Sequence, residues 1–196
     1  MHDLQSWITY PHTFNENNSQ CTIYTYKEGV LSAIAHDLKI QVNRFDVELQ
    51  ANHTKVDGSS VVSPSIIARF WPDTCEVLGA VDAQGTLMPN VLKAKDLKQI
   101  KKNIQKDVLK THKYPVIQFQ GHIQQQTLKG QLEIHRQKRE IHSAVHIDQQ
   151  EKQIHISMTY TLKPSQWGIS PYKALLGAIR LQDKVVLHWS AIHTDP

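Results

Sequence analysis

Residues 117–162 read IQFQGHIQQQTLKGQLEIHRQKREIHSAVHIDQQEKQIHISMTYTL, and apolar side chains recur through them at every second position. Ile117, Phe119, Gly121 and Ile123 share one parity, with Gln118, Gln120 and His122 on the other. Leu132 and Ile134 repeat the pattern, followed by Ile141, Val145 and Ile147. The clearest run is Ile154, Ile156, Met158, Tyr160 and Leu162, interleaved with His155, Ser157, Thr159 and Thr161. A period of two sends one set of side chains into a core and the other into water, which marks half-buried antiparallel strands. The polar breaks at 124–127, 136–139 and 149–152 have hairpin length, although none carries an Asn-Gly or Asp-Gly pair. The stretch predicts a four-stranded meander. The tetrad Arg136-Gln137-Lys138-Arg139 predicts a long, basic hairpin tip.

The rest of the chain closes or covers that meander. Cys21, Ile23 and Thr25 alternate with Thr22, Tyr24 and Tyr26 as a first strand that stops near Gly29. Ile34, His36, Leu38, Ile40 and Val42 form the apolar parity of a second. Phe45, Val47, Leu49 and Ala51 form that of a third, which ends at the turn signal Asp57-Gly58. Residues 61–70 predict a fourth strand in which Pro64 demands an edge or a bulge. Residues 71–90 lose the period and are expected as a connection. Then Leu97, Ile100, Ile104 and Val108 recur three or four apart, with Leu109 widening the stripe and lysines elsewhere. This predicts an amphipathic helix over 93–110 that ends before Tyr114-Pro115, where the residue ahead of a proline is pushed out of the helical region. A covering loop at 163–180 precedes a last strand at 185–192, apolar on both parities and suited to closing a barrel.

The 196 residues, 40% hydrophobic and 20% charged, suffice for one core. The expected organisation is a loose N-terminal arm over 1–20 and one antiparallel β-barrel domain over 21–196. No run of about 18 apolar residues offers a membrane span. The first 14 residues lack the basic start and apolar run of a secretory signal, so a complete chain is expected in the cytoplasm. Cys21 and Cys75, with no CxxC spacing, are expected as free thiols.

Four segments also carry a family resemblance. Residues 29–38 (GVLSAIAHDL) are similar to the small-residue-then-His-Asp-Leu start of one branch of the YceI-like family. The helix and its exit, with Tyr114-Pro115-Val116-Ile117-Gln118-Phe119, resemble its helix followed by aromatic-Pro-x-Ile-x-Phe. Residues 130–135 (GQLEIH) resemble its Gly-x-Leu-x-Ile-His strand, and Trp167-Gly168-Ile169 with 175–179 its aromatic-Gly-Ile segment and the run into the last strand. The resemblance spans about residues 20–192 in order. It implies a lipocalin-like antiparallel barrel with one helix that holds a long apolar isoprenoid chain. Many relatives are exported.

The interior parity of the meander then names the expected lining: Phe119, Ile134, Val145, Ile156, Met158 and Tyr160. Each buried methylene contributes about 0.8 kcal/mol, so a five-carbon isoprenoid unit contributes up to roughly 4 kcal/mol before ordering costs. Trp167 and Tyr172 are candidate lid residues over the barrel mouth, or else simple loop packing. His36 with Asp37 has the composition of a general-base device, but neighbours on a strand point to opposite faces. His36 is therefore read as an inward, hydrogen-bonded histidine or a head-group contact, and Asp37 as a partner of backbone. His135, His142, His146 and His155 lie on the polar parity with no carboxylate or cysteine to complete a metal set, so neither metal nor cofactor is expected. The lysines between Lys93 and Lys113 form a solvated helix face or a transient membrane-surface contact. Nothing resembles a nucleic-acid motif, and either a monomer or a homodimer is compatible. Three readings remain: a carrier of an isoprenoid lipid, isoprenoid quinone or other apolar small molecule; an enzyme using His36 and Asp37; and a ligand-free structural module.

Overall fold

The computed structural model describes residues 11–28, 35–56, 59–124, 126–150, 153–174, 176 and 179–194. Twelve strands form one antiparallel sheet: β1 (His12–Asn15), β2 (Ser19–Glu28), β3 (Asp37–Val42), β4 (Phe45–Val56), β5 (Ser59–Phe70), β6 (Cys75–Val81), β7 (Ile117–Gln124), β8 (Thr127–Ile134), β9 (Gln137–Gln150), β10 (Gln153–Leu162), β11 (Lys173–Ala174) and β12 (Ile179–Thr194). Their spatial order is β1-β4-β5-β7-β8-β9-β10-β12-β2-β3-β6, with β11 hydrogen-bonded to β12. The predicted meander, β7 to β10, is the middle of this order. The protein is mainly β, a curled antiparallel half-barrel of lipocalin-like form with one amphipathic helix.

The curl has two physical sources. Strand β9 pairs with β8 through residues 137–144 and with β10 through residues 145–150, so one long strand serves both halves of the sheet. On the far side the chain itself joins the halves. A turn after β1 is tied by Asn15 N–H to Asn18 Oδ1 (2.8 Å) and Ser19 Oγ–H to Asn15 O (2.6 Å). Phe14 of β1 is buried and meets Trp189 of β12 edge-on across the interior, with ring centroids 5.6 Å apart. Residues 12–15 are thus a core-bearing strand rather than part of a loose arm. Residues 1–10, with Gly29, Ile34 and Asp57-Gly58, lie outside the described residues.

Three further differences from expectation have local causes. Strand β6 occupies residues 75–81, where only a connection was expected. Its alternation of buried Cys75 and Val77 is broken at Gly79 (φ 152), where the pairing with β3 slips by one residue, and Ala80 and Val81 are then both buried. A bulge of this kind erases the period-two signal. The β8–β9 turn is tight: Ile134 pairs with Gln137, and the two residues between them, His135 and Arg136, have φ of 52° and 61°. That is the left-handed pair a type I′ turn needs, so Lys138 and Arg139 belong to β9 and not to a long tip. Each left-handed non-glycine residue costs roughly 1–2 kcal/mol. Opposing that cost, the His135 ring stacks on Tyr114 at 4.3 Å and its Nε2 donates to the Leu109 carbonyl at 2.8 Å.

The helix lies where expected, and the third difference is confined to its last turn. Helix α1 (Ala94–Asn103) widens into a π turn over Ile104–Val108, fifteen residues in all, and stops at Lys110, whose φ is 47°. Asp96 starts it by accepting the Lys93 backbone N–H at 3.0 Å. The proline signal at 115 therefore lies beyond the true end. Pro64 behaves as expected: it pairs with Ala51 of β4, but pairing of β5 with β7 begins only at Ser65, so on that side the proline stands at a free edge. Among the described residues no helix is long and apolar enough to cross a membrane.

Candidate functional site

Inward side chains of the curled sheet line two apolar chambers that are partly open. The lower one, about 100 Å³, is lined by Phe14, Phe119, Val145, Ile156, Met158, Tyr160 and Trp189, among others. The upper one, about 640 Å³, lies between strands β2, β3 and β12, the helix and the 164–174 segment; Ile134, Leu38, Ile40, Ile100 and Ile104 are among its walls. Phe70, Leu132, Leu162 and Leu187 line both chambers and form a waist between them. Of these four only Leu132 is fully buried. Met158, Tyr160, Leu162 and Leu187 face inward on the correct parity and yet remain only half-buried. Inward residues that keep accessible surface are facing open space, not a filled core.

The helix roofs the upper chamber. Its stripe Leu97, Ile100 and Ile104 packs on the buried cluster Leu38, Ile40, Cys75 and Val77, yet no residue of α1 is itself buried. At Asn103 the helix is tied to the covering segment: its Nδ2–H donates to the Tyr172 hydroxyl at 2.8 Å. The Tyr172 oxygen accepts that bond, which leaves its own O–H to donate toward the chamber it lines. Burial, with Asp107 as a lesser cause, pushes the Tyr172 phenol up, and burial alone does the same to Tyr160. Both therefore stay protonated donors at neutral pH. The rest of the rim is polar: Asp96 and Gln99 from the helix, Ser170 from the loop, Gln182 and Lys184 from β12, and His36 immediately ahead of β3.

Eight of the nine side chains expected from sequence thus border the cavity: Phe119, Val145, Ile156, Met158 and Tyr160 the lower chamber, and His36, Ile134 and Tyr172 the upper. Trp167 borders neither. It is 1% exposed and its Nε1–H donates to the Leu132 carbonyl at 3.1 Å, so it anchors the covering segment to β8 instead of acting as a lid. Asp37 is turned away from catalysis; its Oδ1 accepts the Lys27 backbone N–H at 2.7 Å and ties β2 to β3. Cys21 and Cys75 both line the upper chamber as free thiols. Burial pushes Cys21 up to about 12 and raises Cys75 as well, so both are neutral. Among the described residues no three His, Cys, Asp or Glu side chains gather as a metal site. Sequence reasoning missed the waist and the upper walls from β3 and β12. The signal present is the two-sided apolar character of 185–192, which fits a cavity wall as well as barrel closure.

A YceI-like domain model matches residues 10–191. The chain belongs to the YceI-like family. Among solved structures the YceI-like domain is similar to Burkholderia cenocepacia BcnA, at 12% identity and a TM-score of 0.57, over 90% of this chain and 96% of that one. It is also similar to a cysteine variant of the Campylobacter jejuni YceI protein, at 13% identity and a TM-score of 0.50, over 76% of this chain and 81% of that one. At such identities the likeness is one of fold. No curated protein sequence matches. Members of the family are generally binding proteins for hydrophobic ligands.

Proposed function

We propose that this YceI-like domain is a carrier that sequesters one amphipathic molecule with a long apolar tail, an isoprenoid lipid or isoprenoid quinone. The observation that carries the reading is the pair of apolar chambers meeting at a half-buried waist. The upper chamber alone falls within the roughly 300–1,000 Å³ typical of small-molecule sites. The tail passes the waist into the lower chamber against Phe119, Val145, Ile156, Met158 and Tyr160. Ile134 lines its path, and the head group stays at the polar rim. There the Tyr172 O–H donates to an acceptor on the head group, and His36 provides a second polar contact. Trp167 acts indirectly, by holding the covering segment in place. The carrier converts nothing: its chamber thiols are neutral and the Asp37 carboxylate is committed to a backbone N–H.

Native mass spectrometry of the purified protein, followed by organic extraction, tests this reading. A stoichiometric adduct whose extract is an isoprenoid supports it. An unliganded mass in several preparations, with no thermal shift on adding isoprenoids, refutes it, because a ligand that binds only the folded state must raise apparent stability.

A further inference from the structure

The chain's charge is not spread evenly. Between Lys93 and Asp107 there are six lysines against two aspartates, an excess that equals the +4 of the whole chain. Lys98, Lys102 and Lys106 are spaced four apart and exposed, and among the described residues no lysine of this helix joins an ion pair. Across the chamber mouth, the hairpin of β11 and the start of β12 adds exposed Lys173 and Arg180, which pair in register. The same rim carries large apolar side chains that folding leaves uncovered. Leu176, fully exposed at φ 55°, stands at the tip of that hairpin, whose Ala174 and Ile179 line the upper chamber. Val91, 40% exposed, precedes the helix and lines the same chamber. Basic side chains beside outward leucine and valine, around the mouth of an apolar cavity, match the chemistry of an anionic bilayer surface: phosphates for the lysines and an acyl boundary for the apolar residues. Nucleic acid would use the lysines and leave Leu176 and Val91 without a role.

We infer that the face made by the roof helix and the β11–β12 hairpin docks on an anionic phospholipid bilayer, with Leu176 and Val91 entering the headgroup layer. The mouth of the upper chamber then opens onto the membrane. This docking gives the carrier reading its route of loading and rests on that reading for its purpose, although not for its test. The full-length protein is sedimented with vesicles of phosphatidylcholine alone, and with vesicles that also contain phosphatidylglycerol, at low and high salt. Binding is expected only to the anionic vesicles and is lost at high salt, where screening shortens the reach of exposed charges.

The triple variant Lys98→Gln, Lys102→Gln, Lys106→Gln is expected to weaken partitioning by about a hundredfold, roughly fivefold per lysine near the surface. Leu176→Ser is expected to weaken it by about tenfold, as loss of one buried leucine implies. Both variants alter exposed positions and should keep the wild-type melting temperature. Equal sedimentation with neutral vesicles, or unchanged partitioning of the triple variant, overturns the inference. So does tighter binding of an oligonucleotide than of anionic vesicles, which assigns the basic face to nucleic acid. The two proposals fail separately. Protein that carries no lipid by mass spectrometry yet sediments with anionic vesicles refutes the carrier and keeps the docking face; lipid-loaded protein that ignores vesicles does the reverse.

Discussion

Replacing Leu187 by Trp tests the two-chamber cavity most directly, because Leu187 sits at the waist, opposite Tyr160 in the β10–β12 register and above the lower chamber. The indole should fill the waist and close the way down. The lower chamber, about 100 Å³, holds roughly three methylene-sized groups if each takes about the 30 Å³ of a liquid water. At about 0.8 kcal/mol per buried methylene, excluding the tail from it removes about 2.4 kcal/mol, roughly fiftyfold in affinity. The assay is calorimetric titration of isoprenoid alcohols of increasing length. Wild-type affinity should rise with tail length past the point where the Leu187→Trp variant reaches a plateau. Thermal melting supplies an independent reading. A side chain growing into open space should leave the melting temperature unchanged or raise it. In a filled core the same change overpacks at about 1–3 kcal/mol, which lowers the melting temperature of a chain this size by roughly 2–4 °C for each kcal/mol. A clear fall in melting temperature, or equal affinities along the whole tail series, refutes the waist.

Three further predictions follow from single side chains. Gly121 and Gly130 pair across β7 and β8, and the Phe119 ring tip lies over both; a Cβ on Gly130 would stand 2.3 Å from the Gln120 carbonyl oxygen and 2.8 Å from Phe119 Cζ. Gly130→Ala should therefore destabilise by about 1–3 kcal/mol in urea unfolding, as overpacking does. Tyr172→Phe removes the rim donor and should weaken binding of ligands that carry a head-group acceptor by about fivefold to tenfold, one hydrogen bond's worth, and leave a plain hydrocarbon tail unaffected. Cys21 has its thiol raised by burial from 9.0 to about 12, so the unfolded chain ionises it first. Its contribution is complete below pH 9.0 and is lost as pH rises toward about 12, up to about 4 kcal/mol in total. Urea unfolding at pH 8 and pH 10.5 should show a steeper loss in the wild type than in Cys21→Ala.

Most of the sheet was legible because the alternation in 117–162 is long enough to fix both the strands and their inward face. That parity puts Phe119, Val145, Ile156, Met158 and Tyr160 on the lower chamber, and Ile134 on the upper. It failed where a local geometry breaks the period, as at Gly79 in β6, and where tertiary contacts override turn chemistry, as at His135 and Arg136, whose left-handed pair is held by Tyr114 and the Leu109 carbonyl. The upper chamber was harder to read for another reason. A helix stripe that roofs a cavity and one that packs on a solid core have the same spacing. Trp167 left two readings open, a lid or loop packing, because a tryptophan beside a glycine gives no sign that its N–H will find a buried carbonyl on β8.

The size of the interior constrains how it exists in solution. A rigid, dry cavity costs about 24 cal/mol per Å³. On that scale the lower chamber would cost about 2.4 kcal/mol, which a folded domain can sustain, whereas the upper would cost about 15 kcal/mol, at or above the whole stability of a typical domain. The upper chamber is therefore occupied whenever the protein is folded, by ligand or by water. Its rim of Asp96, Gln99, Asn103, Tyr172 and Lys184 offers the polar partners that water needs, and the lower chamber offers almost none. A tail that enters expels water from the upper chamber and fills dry space in the lower. The upper step should give binding a large negative heat-capacity change and the lower one a favourable enthalpy. Titration at several temperatures measures both. The Leu187→Trp variant should keep the heat-capacity change and lose the enthalpy, which separates the two chambers in one experiment.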